Sequence, residues 1–327
     1  MPDVTPPALH IDTYLTEISV AYAQKQANFI ADKVFPTVPV LKESNFYAIY
    51  KKGAFFRDEL KVRPLGGRPP RAGYEVDKGR YNAEEWGLEH AIDDRVRANA
   101  DSVFEPDRAG MRLLTTQALI RRDRMWAEKY YKTGVWSADW EGVSSGATAK
   151  KFLQFDQSGS EPISFFKKRR TEMARATGFM PNTLVLGPDV VDVLENHSAI
   201  TDRIKYTQRG VLTVELLAEL FGFDRVLVPY GVINSAAEGE ADSIDFLVGS
   251  KSMLMVYSAP APSLEEPSAG YTFAWTGLLP GLTNAFGGVI ERGREELAHS
   301  DILQIRAAYD VQIVASDLGQ FFEKAVA

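Results

Sequence analysis

The sequence predicts an α+β fold from which a long ribbon projects. Three observations lead there. Helical and extended patterns mix along the chain without a regular βαβ repeat. Residues 102–133 hold a long amphipathic helix pattern, with Met111, Leu114, Ala118, Met125 and Trp126 near helical spacing. Residues 46–90 read as two extended arms, FYAIYKKGAFFRDELKVR and YEVDKGRYNAEEWGLEH, around the tip PLGGRPPRAG. Gly66, Gly67, Pro69, Pro70 and Gly73 break any helix there, and the Tyr, Phe, Val and Ile of the flanks favour strand. A two-stranded ribbon of this length has little core of its own and needs another surface to lie on.

The other elements follow in order. Thr13–Ala27 has amphipathic helical spacing. NFIADKVFPTVPV (28–40) is held extended by Pro36 and Pro39 and is too apolar for a free tail. Trp86, Leu88 and His90 alternate as in a strand ending, before a polar connector at Asp93 and Asp94. The long helix starts near Pro106, with Ser102 or Asp107 near its cap, and stops at Gly134. Residues 137–161 are Ser/Gly-rich and read as a loop. A second helix runs from Pro162 to Thr177. NTLVLG is a strand, PDVVDVLENH and VLTVELLAELFG are helices, and FDRVLVP is a strand. DSIDFLVGSKSMLMVYS is a strand pair or a bent strand, YTFAWTG another strand, and 301–315 a long strand. DLGQFFEKAV reads as a short closing helix.

Composition bounds the function. The 327 residues suggest about two domains, and 45% hydrophobic with 25% charged residues marks an ordinary globular chain. A net charge of −7 argues against a tight phosphate grip, though not against surrounding nucleic acid without adhering to it. The absence of cysteine excludes disulfides, thiolate catalysis and zinc–cysteine sites. The first residues resemble no signal peptide, and no run of ~18 apolar residues predicts a membrane span.

Catalytic motifs are missing. The string Gly249-Ser250-Lys251-Ser252 lacks the glycine pattern of a P-loop, and GxGxxG, GxSxG and HExxH do not occur. His10, His90, His197 and His299 are isolated in sequence. Adjacent carboxylates such as Glu84–Glu85 and Asp93–Asp94 do not face one another. A metal ion gathered by these four is the best sequence support for an enzyme. Lys167-Lys168-Arg169-Arg170 reads as a solvated helix face, an interface or a nucleic-acid contact.

The order of elements resembles a known family, the major capsid proteins of tailed double-stranded DNA bacteriophages with the Hong Kong 97-type fold. NFIADKVFPTVPV (28–40), the approach Tyr47…Tyr50…Gly53, the segment 182–229 and the ending YDVQIVASDLGQFFEKAV (309–326) carry the resemblance, which spans essentially the whole chain. It implies an N-terminal arm (1–45), an extended loop (46–90), a peripheral domain with its spine helix at about 106–133 (91–180), an axial domain (181–300) and a closing segment (301–327). It further implies a structural protein without catalytic residues, cofactor or metal, in a virion capsid assembled in the bacterial cytoplasm.

The partners implied are copies of the chain in pentamers and hexamers, a separate scaffolding protein, a portal protein, a decoration protein and enclosed DNA held by weak contact, with no membrane. An encapsulin-type compartment shell is the alternative on the same fold. Some members carry Lys–Asn crosslinks; Lys51, Lys52, Lys61 and Lys78 lie near the loop, with no partner assignable. The chain enters the arm almost at once, which implies a separate scaffold or a processed product.

On this resemblance Arg57, Lys61, Arg63, Arg68 and Arg71 are expected at the subunit interface of the extended loop, with Trp86 at its base. Phe29, Val34 and Phe35 are expected at the interface of the arm. Arg121, Arg122 and Arg124 of the spine helix are expected to bond loop carbonyls or a neighbour's carboxylates.

Overall fold

A computed structural model describes residues 24–63, 65–100, 105–204, 213–263, 266–278 and 288–327. In chain order, α1 (Ala31–Val34) leads to β1 (Thr37–Val40), and β2 (Ser44–Tyr50), α2 (Lys52–Phe55) and β3 (Val76–Asn82) form the ribbon. β4 (Glu84–Asp93) and α3 (Asp94–Asn99) return to the body, which α4 (Pro106–Tyr130) crosses. β5 (Ala138–Val143), β6 (Lys151–Leu153) and α5 (Pro162–Thr177) follow, then β7 (Thr183–Leu186), α6 (Pro188–Glu195), α7 (Ser198–Ile204), α8 (Val214–Phe221) and β8 (Arg225–Leu227). A small hairpin of β9 (Val232–Asn234) and β10 (Ile244–Phe246) precedes β11 (Met253–Val256), β12 (Gly270–Trp275), β13 (Gly288–Glu295), β14 (Ser300–Ile313) and β15 (Gly319–Glu323).

The class is α+β. A five-stranded sheet runs β1-β12-β14-β13, with β4 also paired to β14. A six-stranded sheet runs β6-β5-β15-β11-β7-β8. The six-stranded sheet is buried on both faces, and its side chains alternate between two cores. Leu184, Leu186, Met253, Met255 and Phe322 meet Phe166, Leu194 and Phe221 from α5, α6 and α8 on one face. Val185, Leu254, Val256 and Phe321 face the second core, with Trp126 and Tyr130 of α4 and Tyr309 and Val311 of β14. Each such side chain stabilises the fold by about 1.5–3 kcal/mol, as an upper estimate.

α4 lies across β14. Its 25 residues span roughly 37 Å at 1.5 Å each. Pro106 occupies its first turn and Asp107 follows there, while Ser102 lies outside the described residues. The Tyr130 hydroxyl donates to the Val311 carbonyl at 2.5 Å, and the Trp136 indole N–H donates to the Tyr130 carbonyl at 2.8 Å.

Several segments depart from expectation. DLGQFFEKAV is a 3-10 turn followed by strand β15, not a helix. β15 fills the slot between β5 and β11, and only an extended backbone sends Phe321 and Phe322 into opposite cores. The stretch 137–161 contains β5 and β6 instead of being all loop. Gly142 is there for close approach: a Cβ would lie 1.9 Å from the Lys324 carbonyl oxygen. Ala31–Val34 is one helical turn inside a segment expected to be extended, and Asp93 caps α3 where a polar connector was expected, accepting from the Arg95 N–H at 2.7 Å. The helix at Thr13–Ala27 lies outside the described residues except at its end, where Gln26–Asn28 form a 3-10 turn.

The pairing of the ribbon is shorter than its two arms. Among the described residues the strand ladder covers Ser44–Tyr50 and Val76–Asn82; α2 interrupts the first arm, and β4 joins β14 over Glu84–Asp93. The sheets also ignore a cut at residue 181. β5, β6 and α5 precede it yet belong with the six-stranded sheet and its core, while β12 and β13 follow it and belong to the five-stranded sheet.

Gly142→Ala is expected to destabilise the unassembled subunit by about 1–3 kcal/mol through backbone displacement. Urea denaturation checks this; an unchanged midpoint would mean that the contact with residue 324 does not hold the strand.

Candidate assembly interface

The ribbon is fixed at its stem and bare beyond it. Tyr47 and Tyr81 stack on Phe273 of the five-stranded sheet with ring centroids 5.3 and 4.7 Å away. The Tyr47 hydroxyl donates to the Ile313 carbonyl at 3.3 Å, and the Asn82 N–H donates to the Asp310 carboxylate at 2.9 Å. Gly79 lets the Tyr47 ring cross the partner strand, since a Cβ there would lie 2.2 Å from the ring. Lys51 and Glu75 clasp the two strands at 2.7 Å, and Lys52 reaches Asp317 at 2.5 Å.

Beyond that clasp the apolar side chains lose their cover. Phe55, Phe56, Leu60, Val62, Leu65 and Tyr74 are all exposed, Leu60 at 94% and Val62 at 96%. Among the described residues the rings of Tyr50, Phe55 and Tyr74 cluster only with one another, with centroids 5.6–5.9 Å apart. So much apolar surface on one projection makes it a candidate interaction site. The cations share it: Arg57, Lys61, Arg68 and Arg71 are exposed and make no ion pair among the described residues, and Arg63 donates only to the nearby Gly67 carbonyl at 2.7 Å. Sequence reasoning named these cations but passed over the apolar residues between them. Their signal was present, since a hairpin without a core has nowhere to bury a leucine.

Other expected interface residues are engaged inside the subunit. Trp86 lies at the root of β4, opposite Ala307, with the Arg121 guanidinium 4.2 Å from its ring. Arg124 pairs with Glu128 at 2.6 Å, one turn along α4. Arg122 is 1% exposed and donates to the Thr37 hydroxyl at 3.0 Å, so it ties β1 to α4 and cannot meet a neighbour. Phe29, Val34 and Phe35 are likewise buried within the subunit; Phe35 packs against Trp126, Tyr130 and Trp136. The arm's apolar residues are core because α1 is fastened from beneath. The buried Asp123 carboxylate accepts the N–H groups of Ile30 at 2.8 Å and Ala31 at 3.1 Å. Burial pushes Asp123 up to about 6; the two N–H groups and Arg122 offset this only in part.

The constellations that would signal catalysis are otherwise employed. Ser160 and His197 approach at 2.8 Å, but His197 Nδ1 accepts the Ala199 N–H at 3.1 Å. Nε2 therefore carries the proton and donates to Ser160, whose hydroxyl is directed to the Phe155 carbonyl at 3.0 Å. An imidazole in that role cannot activate the serine as a base.

The four carboxylates considered for a metal are divided between the two ends of β4, roughly 30 Å apart at the strand rise. Glu85 pairs with Arg306 at 2.7 Å and Asp94 with Arg294 at 2.6 Å. No metal-binding group of acidic, His or Cys side chains occurs among the described residues. In the basic run on α5, Arg169 stacks 3.9 Å over Trp140 and pairs with Glu172 at 2.7 Å, and Arg170 donates to the Phe221 carbonyl at 3.0 Å. Only Lys167 and Lys168 remain a solvated face.

No protein-family model matches the chain. The chain is 29% identical over 220 residues to the major capsid protein of Burkholderia phage BcepMu, covering 67% of this chain and 68% of that protein. It is 23% identical over 319 residues to the major capsid protein of Pseudomonas phage JBD67, covering 97% of each. Among solved structures, a phage-related protein of Bordetella bronchiseptica superposes with a TM-score of 0.68 at 21% identity, covering 92% and 94% of the two chains. The capsid of cyanophage P-SCSP1u gives 0.60 at 11% identity, covering 97% and 93%. The mature capsid of bacteriophage PhiM1 gives 0.57 at 12%, covering 96% and 91%. The fold is thus the Hong Kong 97-type fold of phage capsid chains.

Because native Asp123 holds its proton more tightly than the unfolded chain does, its contribution to stability falls as pH rises from about 4 to about 6. Asp123→Asn is expected to flatten that part of the stability profile, measured as urea midpoints of the subunit across this range. A slope equal to that of the parent chain would show that Asp123 does not titrate there.

Proposed function

We infer that this chain is the major capsid protein of a tailed phage. The observation that carries the reading is a ribbon locked at its stem and bare beyond it, on a chain similar to one named major capsid protein along 97% of its length. A ribbon of that build gains its core only from another molecule. Copies of the chain form the shell, as pentamers and hexamers.

Within this reading the five-stranded sheet with α4 is the peripheral unit, and the six-stranded sheet with α5–α8 is the axial unit that turns toward the symmetry axes. The ribbon lies on a neighbouring subunit, and Arg57, Lys61, Arg63, Arg68 and Arg71 meet carboxylates there. The N-terminal arm (1–45) reaches a neighbour, while Phe29, Val34 and Phe35 hold its root. A scaffolding protein, a portal and enclosed DNA complete the assembly, which takes place in the host cytoplasm, and a decoration protein binds outside. The role is structural, with no catalytic step. The net charge of −7 suits an inner wall that releases its DNA.

Negative-stain electron microscopy of the chain, expressed alone and with its genomic neighbours, tests the reading. Closed shells tens of nanometres across that protect DNA from nuclease are expected; only small oligomers under every condition overturn it. Arg68→Ala combined with Arg71→Ala is expected to lower shell yield while the circular dichroism of the subunit stays unchanged. Normal shell yield from that double variant would remove the two arginines from the interface.

A further inference from the structure

We propose that the β9–β10 hairpin is the surface that receives the cationic ribbon of a second copy. The inference rests on the capsid reading and specifies one contact within it. Residues 226–250 contain no Lys or Arg and carry Glu238, Glu240, Asp242 and Asp245. All four are exposed, and none has a cation within ion-pair distance among the described residues. Asp242 accepts from the Asn234 side-chain amide at 2.8 Å and Asp245 from the Phe246 N–H at 2.7 Å, while the Glu238 and Glu240 side chains make no hydrogen bond among the described residues.

The hairpin is apolar as well as acidic. Ile244 is 65% exposed, and Tyr230 and Phe246 are exposed beside it. Among the described residues β9 pairs with β10 alone, so both outer edges of this two-stranded sheet are without a strand partner. It is nevertheless firmly placed. The Gln24 side chain bridges to both backbone groups of Val232 at 2.8 and 2.9 Å, the Leu247 N–H donates to the Gly231 carbonyl at 2.8 Å, and Val248 enters the core beside α4.

The two surfaces complement each other and are unsatisfied within one subunit. Between residues 57 and 71 the ribbon carries five cations against Asp58 and Glu59, interleaved with Leu60, Val62 and Leu65. Ribbon against ribbon would oppose like charges, which disfavours a self-complementary pairing. Ribbon against hairpin joins opposite charge and covers apolar surface on both sides. That contact is head to tail, the kind that closes into rings. The charges set register and encounter rate, and the apolar residues between them supply the burial.

The absence of natural cysteine makes the test clean. Arg71→Cys combined with Glu240→Cys is expected to give a ladder of disulfide-linked multimers from assembled shells under oxidation, with monomer alone from unassembled subunits. Charge reversal provides the second reading. Glu238→Lys with Glu240→Lys, or Arg68→Glu with Arg71→Glu, is expected to cut shell yield about tenfold, and combining the two sets to restore it. Shells that assemble normally with the reversed hairpin, or cysteine shells that remain unlinked, overturn this inference and leave the capsid reading intact. A parent chain that never gives shells overturns the capsid reading and this inference with it.

Discussion

Strand β14 is the constraint to which the rest of the molecule is referenced. Its 14 residues pair on both edges, with β4 over Ser300–Tyr309 and with β13 and then β12 along the other side. Tyr309 and Val311 form part of the floor on which α4 packs, and the Val311 carbonyl takes the Tyr130 hydroxyl. The Ile313 carbonyl and the Asp310 carboxylate take the stem of the ribbon. The long helix, the ribbon and both neighbouring sheet segments therefore share one rigid reference, and a displacement of β14 would move them together.

From that reference, order diminishes outward. The ribbon has stacked aromatics and backbone ties at its stem, one ion pair at the clasp, and exposed leucine and valine beyond it. Such a gradient is costly in a monomer and useful in a lattice. The stem fixes the direction in which the ribbon leaves the body, and the distal part leaves its apolar surface uncovered. Charge follows the same division, with cations concentrated on the ribbon and carboxylates on the β9–β10 hairpin. A chain that is acidic overall still presents a basic projection, and the proposed contact between copies rests on that asymmetry.

The opposite fate of the arm shows what exposure alone decides. Phe29, Val34 and Phe35 are as apolar as the ribbon residues, yet they are buried, because Asp123 of α4 accepts two N–H groups at the start of α1 and fastens that turn over the core. Nothing in the local sequence links Asp123 to a segment more than ninety residues earlier. The buried Arg122 beside it is equally illegible, since an arginine in a polar-looking run reads as surface until β1 and Tyr309 are seen to enclose it.

Local rules sufficed wherever an element carries its own periodicity and boundaries. α4 with Pro106 in its first turn, α5 between Pro162 and Gly178, the apolar strand Thr183–Leu186 and the long strand β14 were all legible, because helix spacing, proline and alternation act within a few residues. That the ribbon has no core of its own was legible for the same reason. Tertiary structure alone decided β5 and β15. One is glycine-bearing because the Lys324 carbonyl passes against it, and the other is extended because it fills a slot between two strands distant in sequence. It also decided which apolar residues stay exposed, since burial depends on what the rest of the chain places nearby, and no local pattern encodes that.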